Sequence, residues 1–184
     1  MWIQSLRTFK NNPSVVGFLV EQACLSAIST TGFHHGSIKW QSFTATIFNG
    51  NLLEAIPPPR NYEKFFIPAD PFFKDIDALY LKVDMEKKMV LVVPIQVTVA
   101  KTHKDSEAAF YSRWSDWQEF FGGYKLKTTF VWVVENEQSW TIREEEIRTT
   151  RNNSKLISPK HEQIVVTVRD INLTLGLQLA AIRR

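Results

Sequence analysis

From Leu91 to Val99 the chain runs Leu-Val-Val-Pro-Ile-Gln-Val-Thr-Val, apolar and β-branched except at Gln96 and Thr98. Such a run reads as a strand. Side chains repeat every second position along a strand, so the two polar residues share one face. Burying them there is costly unless each is hydrogen-bonded or put to use. Leu79–Val83 reads as a second strand, joined to Met89–Val99 by the polar turn Asp84-Met85-Glu86-Lys87-Lys88. An even number of loop residues brings Asp77, at the head of the second strand, to the same side as Gln96 and Thr98. An odd number turns one strand over and separates them. The sequence leaves that register open.

The remaining pattern surrounds these strands with helices. Asn12 and Pro13 open a helix expected from about Pro13 to Ser29, with asparagine as cap, proline in the first turn and Gly32 as its end. Val16, Leu19, Val20, Ala23, Cys24, Ala27 and Ile28 form its apolar stripe, and Ser14, Gly17 and Glu21 a narrow polar line. A strand is expected over Ile38–Phe48. The loop after it, about Gly50 to Tyr62 with Pro57-Pro58-Pro59, reads as irregular. Asp105-Ser106-Glu107 reads as the cap of one helix reaching Phe121, closed by Gly122-Gly123. Phe110, Trp114, Trp117 and Phe121 recur on it at core-packing intervals. Thr128–Val134 reads as a buried strand and Thr141-Ile142-Arg143-Glu144 as a capping box opening a short helix. Gln163–Arg169 reads as an alternating strand and Asn172–Ile182 as a helix. The expected class is α/β, a mixed sheet flanked by helices.

At 184 residues the chain is expected to be one domain, its core spanning about 13–134 with a strand and helices appended over 135–184. Six tryptophans and thirteen phenylalanines point to an aromatic core, an interaction surface, or both. Among tryptophans outside the helical stripe, Trp2, Trp40 and Trp140 are the residues whose exposure bears on this. The net charge of +3 says little about partners, but basic residues gather from Arg143 onward, including Arg148 and Arg151. Cys24, the single cysteine, excludes an internal disulfide and suits a small buried hydrophobe. No apolar stretch reads as long enough to cross a membrane, so no membrane partner is expected.

An acid at one strand entrance, a polar X-x-X triplet in the next strand and a helix behind them is how metal-dependent nucleases build a site. Here the triplet is Gln96-Val97-Thr98, where an active enzyme usually has Glu-x-Lys. Oxygen ligands suit a hard cation, Mg²⁺ or Mn²⁺. Asp77 offers a carboxylate, Gln96 a side-chain carbonyl, Ile95 or Val97 a main-chain oxygen, and Glu21 a second carboxylate from the first helix. Positive charge would have to come from Lys101, or from Lys82, whose parity turns it away from Asp77. His103 lies near enough in sequence to serve as acid or base.

Gly17-Phe18-Leu19-Val20-Glu21, Asp75-Ile76-Asp77-Ala78-Leu79-Tyr80 and Pro94-Ile95-Gln96-Val97-Thr98-Val99-Ala100-Lys101-Thr102-His103 together resemble the PD-(D/E)XK nuclease-like domain of Crinkler effectors. They are also similar to the related retrotransposon hot spot proteins. The resemblance runs from about Gly17 to Phe121, and its specific part is D-A-L…Q-x-T-V-A…H. It implies a restriction-endonuclease-like αβββαβ core in which Glu21, Asp77 and Gln96 bind metal and Thr98 stands at the lysine position. Gln-x-Thr recurs in that subfamily; a departure is Lys104, where Crinkler chains usually place proline. The implied role is an effector secreted by a microbe, entering a host cell and its nucleus, and excised here from a longer protein. Its expected partner is nucleic acid, DNA first, touched by Lys101, Arg143, Arg148 and Arg151. The alternative is a module without turnover that binds nucleic acid or a host protein. A neutral glutamine holds Mg²⁺ less well than a carboxylate and threonine supplies no charge, which favours that alternative.

Overall fold

The computed structural model describes residues 2–71, 73, 75–99, 106–136 and 159–182. Its centre is a six-stranded sheet built from β3 (Thr46–Phe48), β4 (Tyr62–Pro68), β5 (Ala78–Asp84), β6 (Met89–Thr98), β7 (Lys125–Val134) and β8 (Glu162–Thr167), neighbours in that order. The β4–β5–β6 meander is antiparallel, whereas β3 joins β4, β7 joins β6 and β8 joins β7 in parallel. The sheet is mixed and flanked by helices, as the α/β class requires.

Alternation sorts the strands' side chains into two cores. Ala78, Tyr80, Val93, Ile95, Val97, Val131 and Val133 face one side. Leu79, Leu81, Val90, Val92, Phe130, Trp132 and Val134 face the other. The first side is covered by α1 (Trp2–Thr8) and α2 (Pro13–Thr31). The second is covered by α3 (Leu52–Ala55), α4 (Ser106–Ser112) and α5 (Trp114–Phe120). After β8, α6 (Val168–Ile171) and α7 (Leu173–Ile182) return to the α2 side, where Val168, Leu175 and Leu179 join the same core. β8, α6 and α7 thus take part in the central packing.

Helix α2 forms for the reasons its sequence suggests. Asn12 Oδ1 accepts the Val15 N–H at 3.2 Å, and Pro13 is the first helical residue. Gly32 ends it at φ +80°, where an added Cβ would lie 2.5 Å from the Trp40 carbonyl oxygen. Val16, Val20, Ala23, Cys24, Leu25 and Ile28 are buried. At 19 residues α2 is, against expectation, long and apolar enough to cross a membrane, but here its buried stripe packs on the sheet. Cys24 is fully buried, and burial, with Glu21 nearby, pushes its thiol up to about 12.

Four expectations need correction. Ile38–Phe48 is not one strand. Ile38–Trp40 (β2) pairs with Phe33–His35 (β1) in a separate hairpin, and Trp40 stacks between Phe33 and Tyr80 with centroids 4.6 and 4.3 Å away. Ser29 at the end of α2 then captures the chain, its Oγ donating to Phe43 O at 2.6 Å and its carbonyl accepting the Phe43 N–H at 2.9 Å. Second, β4 lies where no strand was expected. Its charged Glu63 and Lys64 and its flanking prolines resemble a loop, yet Phe65 and Phe66 are both fully buried, one in each core. Fully burying such side chains stabilises by about 1.5–3 kcal/mol each. Third, the helix expected to reach Phe121 breaks at Arg113 (φ −103°, ψ 21°), whose N–H reaches only Phe110 O. Phe110, Trp114, Trp117 and Phe121 still pack in one core. Fourth, β8 stops at Thr167, where a Thr167–Asp170 capping box starts α6. The capping box at Thr141 lies outside the described residues.

Candidate functional site

Asp84 opposes Met89, which leaves residues 85–88, four of them, in the turn. The even count fixes the register on which the site depends. Ala78 opposes Ile95, and the Asp77 N–H donates to Ile95 O at 2.9 Å, so Asp77 and Gln96 form the next pair outward. Asp77 Oδ2 accepts from Gln96 Nε2 and from the Val97 N–H, both at 2.6 Å. Those two bonds favour the carboxylate. Burial opposes them and dominates, with Glu21 adding like-charge repulsion, and Asp77 is pushed up to about 8.

Glu21 arrives from the other side. On α2 it is half-buried, and burial raises its pKa while Gln22 Nε2, donating to Oε1 at 3.1 Å, pulls it back. Glu21 and Asp77 line one cleft of about 150 Å³ at the end of the sheet, together with Phe18, Asp70, Phe73 and Ile76. Lysine and arginine are absent from its described lining.

Gln96 and Thr98 are 4% and 5% exposed and are not among the described residues lining this cleft. By alternation with Val90 and Val92 they face the layer of α4 and α5. Gln96 reaches the site only through its amide, which braces Asp77. The structure therefore joins Asp77 to Gln96 by a hydrogen bond and to Glu21 through a shared cleft, while Gln96 and Thr98 stay outside the described lining of that cleft. Lys82 pairs with Glu63 at 2.5 Å, away from Asp77 as its parity requires. Lys101, His103, Arg143, Arg148 and Arg151 lie outside the described residues, as does Trp140. Trp2 is exposed and Trp40 buried.

Sequence reasoning missed several of these residues. Asp70 sits between Pro68 and Pro71 after a strand that went unrecognised, so nothing tied it to Asp77. Glu107, read as part of a helix cap, is 5% exposed and accepts from Gln163 Nε2 and pairs with His161 Nε2. His161 Nδ1 donates to Pro159 O at 2.8 Å, and the Tyr111 ring lies against the imidazole with centroids 4.2 Å apart and planes tilted by 31°. No local pattern links residues so far apart in the chain.

The donor set bears on a cation as follows. Among the described residues, no group of three or more His, Cys, Asp or Glu side chains is placed to hold a metal. Glu21 and Asp77 do line one cleft and interact electrostatically, and each has a raised affinity for protons, with no lysine or arginine in the described lining. Mg²⁺ takes one or two carboxylates with retained water, so this pair is compatible with a sparsely ligated divalent ion only once Asp77 has given up its proton. Comparisons with known proteins returned no matching family model, curated protein or solved structure.

Proposed function

We propose that this chain is a nucleic-acid-processing domain of the PD-(D/E)XK type, with Glu21 and Asp77 as its metal-binding acids. The observation that carries this reading is the shared cleft: acidic side chains from α2 and from the head of β5 line it together and act on each other electrostatically. With the β1–β2 hairpin, β3 and α3 read as insertions between α2 and β4, the remaining elements α2, β4, β5, β6, α4–α5 and β7 are compatible with an αβββαβ order. Glu21 and Asp77 would hold the ion, and Gln96 with the Val97 N–H would fix the Asp77 carboxylate in orientation. A bound Mg²⁺ or Mn²⁺ supplies Lewis-acid polarisation of a phosphodiester and a more acidic water. Substrate DNA would be held by Lys101, Arg143, Arg148 and Arg151, with His103 as acid or base. By the same resemblance, the proposed setting is a microbial effector acting in a host nucleus.

The placement of Gln96 and Thr98 favours a second reading, binding without turnover. Gln96 points its amide nitrogen at Asp77, and Thr98 is a buried neutral residue where a lysine would steady the phosphate. Cleavage and binding are separated by one assay. Purified protein is incubated with single-stranded DNA, duplex DNA and RNA in Mg²⁺, Mn²⁺ or EDTA. The first reading expects cut product only with metal, and none in Asp77→Ala or Glu21→Ala. Intact substrate with salt-dependent binding selects the second, and no binding at all refutes both.

A further inference from the structure

Phe18 lies on α2 one turn before Glu21, is 46% exposed and forms one wall of the acid cleft. A single exposed phenylalanine needs no explanation, but this one has a counterpart. Phe73 lines the same cleft and is steadied by an edge-on contact with Phe48, centroids 5.4 Å apart at 85°. Ile67 and Ile76 complete an apolar lining beside Glu21, Asp70 and Asp77.

The charge and the size of this cleft decide what can enter. Its described lining carries three acidic side chains and no lysine or arginine, so without a bound cation it offers a phosphate no cationic partner. A neutral planar ring needs none, and aromatic walls present it with a stacking face. At about 150 Å³ the cavity is well below the roughly 300–1,000 Å³ that accepts a drug-sized ligand. It admits one ring rather than a base pair.

We propose, resting on the reading above, that the Phe18–Phe73 wall stacks one unpaired nucleobase beside the acid pair, so that the preferred nucleic acid is single-stranded. Stacking on phenylalanine is tolerant of sequence, since every base has a π-face. The shared chemistry is an unpaired base, whether from DNA or RNA.

The test uses the full chain with Ca²⁺ in place of Mg²⁺ and fluorescein-labelled strands. Single-stranded DNA, single-stranded RNA and the blunt DNA duplex are titrated by anisotropy, and a parallel strand carries 2-aminopurine to report stacking. Single strands are expected to bind at least about tenfold tighter than duplex, with Phe18→Ala weakening them about tenfold and Phe18→Trp restoring them. Mn²⁺ affinity by calorimetry should not change in Phe18→Ala. The better-bound strand, DNA or RNA, identifies the source of the base. Equal binding of single strand and duplex, or an unaffected Phe18→Ala, overturns this inference while Asp77-dependent binding leaves the proposed function standing. Failure of every strand to bind removes both.

Discussion

Asp77 is caught between opposing influences. Gln96 and Val97 donate to its Oδ2, while burial and Glu21 disfavour its charge, and the second pair prevails. Its carboxyl rises from 3.8 to about 8, so between those values the folded chain keeps a proton that the unfolded chain has released. Stability is therefore expected to fall as pH climbs through that window and to level off above it. Asp77→Asn keeps an acceptor for Gln96 and Val97 but cannot ionise. Thermal melts between about pH 5 and pH 8 should show a shallower decline in this variant, with the remaining slope owed to Glu21, which burial also raises. An undiminished slope in Asp77→Asn would remove the assignment of that titration to Asp77. Glu107 could not be recognised at this scale. Its neighbours suggest a helix cap, and only its pairing with His161 and Gln163 explains its burial.

At the level of elements, close approach decides where α6 and α7 meet. Gly176 of α7 sits against Arg169, and a Cβ there would lie 2.7 Å from Arg169 Cα and 2.9 Å from its nitrogen. Gly176→Ala is expected to destabilise by about 1–3 kcal/mol through overpacking. Gly122→Ala is the control, since its Cβ would meet only Glu119 O at 3.4 Å. Urea unfolding midpoints compare the two, and equal midpoints would show that the helices separate without cost. Periodicity predicted α2, β5, β6 and β7 well because their local preferences and their burial agree. It failed at β4, where charges and prolines mask a strand held by Phe65 and Phe66. It failed again after Trp40, where Ser29 draws the chain off a strand path. Both failures are tertiary contacts overriding local preference.

Across the whole molecule, β8 closes one side of the sheet and is tied to α4 by the buried Glu107–His161–Gln163 group. Glu107→Ala leaves the buried His161 side chain and the half-buried Gln163 amide without that partner and is expected to cost about 1–3 kcal/mol. Chemical denaturation should show the loss, while Mn²⁺ affinity stays unchanged because this group lies apart from the acid cleft. A loss of metal affinity as large as the loss of stability would show the two regions to be one unit. The sequence by itself determined the α/β class, the α2 cap and stripe, and the presence of a polar triplet in one strand and an acid at the head of the strand before it. These depend on periods and on neighbours a few residues apart, which a linear pattern records. Tertiary structure alone decided that the turn is even, that Glu21 shares a cleft with Asp77 while Gln96 braces it by a hydrogen bond, and that Asp70, Phe18 and Phe73 share the cleft. Those relations arise where segments distant in the chain exclude water together, and desolvation acts on what surrounds a group in space.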